Sequence, residues 1–152
     1  MPSAFKSIWG QYLGVGAGGQ LVTNHGARID ATRPCVDALI VVGDEVANVR
    51  AITIQLRDAY GKDIDYQEIV DIFVVGAANL NAIITTGGST GIAIGTDGAI
   101  LETRVAKKIF QVASEADGDI DLTWTDTGTE AAFLAVRLPN GRVIFSSALT
   151  NT

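Results

Sequence analysis

The chain has 152 residues, 47% of them hydrophobic and 18% charged, with a formal net charge of -6 at pH 7. That length supports one folded domain with an appended arm and a core that needs neither disulfide nor metal, and the composition is too apolar for a disordered chain. The acidic balance gives no basic footprint for nucleic acid or an anionic membrane, and a single cysteine, Cys35, excludes both an intrachain disulfide and a thiolate metal cluster.

Residues 1–48 differ in texture from the rest. The opening MPSAFKSIWGQYLG does not read as a signal peptide, which sets the expectation of synthesis in a cytoplasm. Trp9 and Tyr12 stand just before the glycine-rich GVGAGG at 14–19. A glycine-rich N-terminal arm with aromatic anchors is one reading of this stretch, and an N-terminal part of the same sheet system is the other. LVTN at 21–24 and PCVDALIVVGD at 34–44 each have the length and composition of a short strand.

From Val49 the pattern is cleaner. In VRAITIQLRD, Ile52, Ile54 and Leu56 alternate with Thr53, Gln55 and Arg57, the period of a half-buried strand. DAYGKD follows as a turn with Asp58 as local cap. YQEIVDIFVV at 66–75 predicts a central strand, with Val70, Ile72 and Val74 on one face and Ile69, Phe73 and Val75 on the other; a helix over 65–80 is the competing reading. Short apolar pieces follow at 82–86, 92–94 and 99–101, the last two flanking GTDG. KKIFQVASE at 107–115, DIDLTWTD at 119–126, EAAFLAVRL at 130–138 and RVIFSSAL at 142–149 all alternate, and Pro139-Asn140-Gly141 predicts a hairpin between the last two. Phe110, Trp124, Phe133 and Phe145 sit on these strands and are expected in the core. Many short strands joined by glycine- and aspartate-containing turns predict an all-β fold, an antiparallel β-sandwich over 49–152 with the N-terminal extension at 1–48.

No stretch carries a convincing catalytic pattern. Gly14, Gly16 and Gly19 fit a dinucleotide fingerprint only loosely, with no strand before and no helix after. GSTGIAIG at 88–95 lacks a Walker lysine, and its glycines read as turns between strands. Asp117, Asp119 and Asp121 resemble the opening of a calcium loop, but Leu122 stands where that loop needs glycine and Gly128 where it needs glutamate. A weak cation site there competes with a solvated acidic edge that discourages sheet pairing. His25 is the only histidine, no nucleophile elbow surrounds Ser146 or Ser147, and Cys35 beside an apolar run reads as a buried thiol. The expectation is therefore no catalytic residue, no cofactor and no metal; Trp9 and Tyr12 are read as interface residues, with pins that hold the arm onto its own domain as the alternative.

Four segments in order carry a resemblance: VRAITIQLRDAYGKD at 49–63, GIAIGTDGAILE at 91–102, FQVASEADGDIDLTWTDTG at 110–128 and FLAVRLPNGRVIFSSAL at 133–149. Together they resemble the Ig-like or related β-sandwich modules of tailed-bacteriophage virion proteins. The resemblance implies a non-enzymatic virion structural protein, a capsid decoration or cement protein that binds the major capsid protein as a homo-oligomer. A tail, neck or fibre module is the alternative, with a carbohydrate-binding module behind it. It also implies a protein made in the host cytoplasm and carried on the virion; the acidic charge balance separately sets the expectation of no direct contact to nucleic acid or membrane.

Overall fold

The computed structural model describes residues 4–6, 12–15 and 21–23 as backbone and residues 34–152 in full. The chain forms two compact units, Met1–Arg33 and Pro34–Thr152. In the first, β1 (Ala4–Lys6), β2 (Tyr12–Val15) and β3 (Leu21–Thr23) make an antiparallel sheet in the order β1-β2-β3, so the LVT of the LVTN segment is a strand.

The second unit has nine strands: β4 (Asp37–Val42), β5 (Val49–Arg57), β6 (Ile69–Val75), β7 (Gly91–Ile94), β8 (Ala99–Val105), β9 (Ile109–Ala113), β10 (Asp119–Thr125), β11 (Phe133–Arg137) and β12 (Val143–Ala148). They form two antiparallel sheets, one ordered β4-β5-β10-β7 and the other β12-β11-β6-β9-β8. This is an all-β sandwich, with no helix among the described residues. Its connectivity is Ig-like: β4, β5, β10 and β7 take the places of strands A, B, E and D, and β6, β11 and β12 those of C, F and G. The departure is the β8–β9 hairpin, inserted between the D-like and E-like strands and paired through β9 to β6. β4 bonds along β5 from Asp37↔Arg57 to Val42↔Ile52, so this strand, counted with the N-terminal extension on sequence alone, is part of the sandwich, whose unit starts at Pro34.

The alternation read from the sequence becomes the core. Ile52, Ile54 and Leu56 of β5 and Ile120, Leu122 and Trp124 of β10 are at most 1% exposed. Facing them are Val70, Ile72 and Val74 of β6, Leu134 and Val136 of β11, and Phe110 and Val112 of β9. Each buried aliphatic side chain contributes about 1.5–3 kcal/mol relative to an exposed one, against the ordering cost of the chain.

Three expectations are corrected. β6 begins at Ile69 rather than Tyr66, because the Glu68 N–H leaves the ladder and donates to Ser114 Oγ (3.0 Å). Residues 82–86 contribute only an isolated bridge, Val75↔Ile83, since the Thr85 and Thr86 N–H groups donate to the Glu130 carboxylate instead of a neighbouring strand. Phe133 and Phe145 are half-buried on the outward side of the five-stranded sheet, the side opposite Leu134 and Ile144.

Candidate functional site

The glycine-rich stretch after residue 86 is a carbonyl-presenting loop. Lys107 Nζ donates to Ser89 O (2.6 Å) and Gly88 O (3.3 Å), and Lys108 Nζ to Thr85 O (2.7 Å). Three successive loop N–H groups already have acceptors: Gly88 donates to Thr86 Oγ1, Ser89 to Asp126 Oδ1 and Thr90 to Thr125 O. A phosphate cradle needs converging free N–H groups, and here these three are spent inside the fold.

The GTDG turn lies beside an acidic cluster. Gly98 adopts φ +92°, the left-handed conformation that favours glycine. Asp97 does not cap this turn; the Gly98 N–H donates to Glu115 Oε1 (3.3 Å). Asp97, Glu115, Ala116 and Asp117 line an open depression of about 430 Å³. Asp119 and Asp121 follow on β10, opposite Gln55 and Thr53 of β5. Asp121 Oδ1 accepts from Thr53 Oγ1 (3.0 Å), and Asp119 Oδ1 has no hydrogen-bond donor among the described residues. Burial, then the neighbouring Asp121 charge, pushes both Asp97 and Asp119 above the ordinary carboxylate pKa. Among the described residues, no group of three carboxylate, histidine or cysteine side chains has the geometry to hold a metal ion.

The other singled-out residues are placed as follows. Ser146 is 7% exposed; its Oγ accepts from the Leu134 N–H (2.9 Å) and donates to Ser147 O (2.6 Å), so the hydroxyl serves the β11–β12 ladder. Cys35 is buried, its N–H donates to the Tyr66 hydroxyl (2.9 Å), and burial followed by the Glu68 charge pushes its thiol up to about 11. Trp9 and His25 lie outside the described residues. Tyr12 is described only as a β2 position opposite Lys6.

What sequence reasoning missed is the outward face of the five-stranded sheet. Val105, Ile109, Phe73, Ala135 and Phe145 stand opposite one another in turn, one from each strand, and make an apolar row across all five. The next row runs Glu102, Gln111, Asp71, Arg137, Val143. In it Asp71 takes ion pairs from Arg137 and from Arg104 (3.4 Å). The Arg137 guanidinium also lies over the Phe73 ring, 5.5 Å from its centroid. An available signal was the second face of IVDIFVV, where Ile69, Phe73 and Val75 are apolar although Val70, Ile72 and Val74 already supply the core. The outward face of the four-stranded sheet is more polar, with Thr53, Gln55, Asp121 and Thr123 on its central strands.

No protein-family model, no curated protein and no solved structure matches this chain.

Proposed function

We propose that the protein is a non-enzymatic structural component of a tailed-bacteriophage virion, a decoration or cement protein that binds the major capsid protein. The observation that carries this reading is the apolar row Val105–Ile109–Phe73–Ala135–Phe145 beside the ion pairs of Asp71. An apolar, aromatic centre with a polar rim is the anatomy of a protein-binding patch. The ordered segments that resemble virion sandwich modules supply the identity of the partner. In this reading the sandwich face contributes the main contact and Trp9 and Tyr12 of the N-terminal unit contribute anchors.

Cryo-electron microscopy of purified particles tests it. Hundreds of copies in register with the capsid lattice, with the five-stranded sheet against the shell, are expected. A few copies at the neck or tail would move the assignment to a tail, neck or fibre module, and absence from the particle would end both. Phe145→Lys, which places a charge in the row without touching the inward face, is expected to lower shell occupancy.

A further inference from the structure

The sandwich has four edge strands, and three of them are blunted. β7 has only four residues and is followed by Gly95. β8 slips register twice against β9 and carries Glu102 and Arg104. β12 slips register against β11. Short, bulged or charged edges resist pairing with another chain. β4 is the least protected of the four: its one charge, Asp37, stands at its first position, and past it the strand is apolar, although it runs alongside β12 of the other sheet. Its sequence is DALIVV, its register with β5 is continuous over six residues, and Leu39 and Val41 are 43% and 52% exposed.

The hydrogen-bonding pattern shows what that edge can accept. Gly43 N–H donates to Ala51 O (2.8 Å) in line with the β4–β5 register. The ladder alternates, so Leu39 and Val41 bond to β5 while Ala38, Ile40 and Val42 direct their N–H and C=O groups to the open side. The Ala38 N–H is already taken by Asp37 Oδ1 (2.9 Å). Among the described residues, the N–H and C=O groups of Ile40 and Val42 have no partner beyond the strand.

We infer that a second copy of this chain pairs with β4 antiparallel across a two-fold axis at Val41, joining the four-stranded sheets of two copies into one sheet of eight. Three features select this occupant. With Val41 opposite Val41 of the other copy, Ile40 of each copy meets Val42 of the other, which satisfies all the open groups of both residues and leaves the capped Ala38 N–H alone. The two exposed Val41 side chains then cover each other, and Leu39 falls opposite Gly43, which has no side chain to obstruct it. The strand ends are also complementary. Asp44, exposed at one end, comes beside the other copy's Arg142, which sits at the opposite end with Nη1 3.2 Å from Val36 O and 3.3 Å from Asp37 Oδ1. The inference stands apart from the virion reading, since it concerns the free protein and a different face.

The test uses the full chain. Light scattering on an eluting peak is expected to give twice the 15.9 kDa of one chain, and Val41→Lys is expected to return it to one, with the β-sheet circular dichroism unchanged. Facing residues of a non-hydrogen-bonded pair lie about 4.5 Å apart at Cα, within disulfide range. Val41→Cys is therefore expected to give a covalent dimer under mild oxidation, and Tyr60→Cys, on a turn and 85% exposed, is expected not to. Buried Cys35 leaves the new thiol as the reacting one. A monomeric wild type, a folded Val41→Lys variant that keeps the dimer mass, or equal cross-linking at positions 41 and 60 would each overturn the inference. Should Val41→Lys fail to fold, the Val41→Cys comparison decides alone.

Discussion

Gly88 packs directly against Trp124: a Cβ at Gly88 would lie 2.7 Å from the indole Cη2 and 3.0 Å from Thr125 O. Trp124 is fully buried near the C-terminal end of β10, so the ring has nowhere to retreat. Gly88 also has φ +75°, where an L-residue is strained. Gly88→Ala is expected to cost about 3 kcal/mol, as overpacking and left-handed strain combine. Urea unfolding followed by tryptophan fluorescence measures it, and a loss below 1 kcal/mol would mean that the loop moves off the indole.

The β4–β5 connection carries strain that a substitution can relieve. Val46 and Val49 exchange both backbone hydrogen bonds (2.9 and 3.0 Å) around Ala47 and Asn48, which have φ +52° and +66°. This two-residue hairpin favours Asn followed by Gly, and alanine at its first position is unfavourable. Ala47→Asn is expected to stabilise the fold by about 0.5–1 kcal/mol. The gain appears as a higher urea midpoint with an unchanged slope.

Asn151 ties together chain segments far apart in sequence. Its Nδ2 donates to Asn48 O (2.8 Å) and Asp126 O (2.7 Å), and its Oδ1 accepts from Arg50 Nε (3.1 Å). The residue is 2% exposed. Asn151→Ala leaves those polar groups without the amide, at an expected cost of about 2 kcal/mol. Hydrogen exchange is expected to show faster opening at the Val46–Val49 turn and near Asp126.

The raised pKa of Asp119 makes a signed prediction. Burial and the Asp121 charge favour its protonated form in the folded state, so stability rises as pH falls through the raised value. The gain is complete below 3.8, the ordinary aspartate value. At neutral pH the charged carboxylate is a penalty. Asp119→Asn is therefore expected to be more stable than wild type at pH 7, with the difference shrinking as pH falls toward 4. A difference that stays constant across that range would show that the carboxylate is not perturbed.

The legible parts of the fold were those where one physical demand acted alone. β5 and β10 are central in their sheet, so period-two alternation fixed both their faces, and Ile54 and Ile120 are buried as expected. The Asp58 turn was legible because Asp58 Oδ1 accepts from the Tyr60 and Lys62 N–H groups (2.8 and 3.0 Å), a local bond set by spacing. β8 was legible only as far as Leu101. Its two register slips break the alternation, and most of its side chains are exposed, so ETRV shows no apolar period. The outward row was hidden for a different reason. Phe73, Ala135 and Phe145 become neighbours only through the order of strands, a property that no single segment encodes.

The central pairings bear on how the protein comes into being. Ile54 lies opposite Ile120, and Ile72 opposite Val136, so the central pair of the four-stranded sheet and the middle strand of the five-stranded sheet join the first half of the sandwich to the second. During synthesis β5 and β6 leave the ribosome well before β10 and β11 exist to complete them. The apolar strands must wait in the open, and such non-local closure is slow and exposed to aggregation. Refolding from urea is therefore expected on the millisecond-to-second scale of other sandwiches, and yield in a cell depends on what shields IVDIFVV until FLAVR arrives.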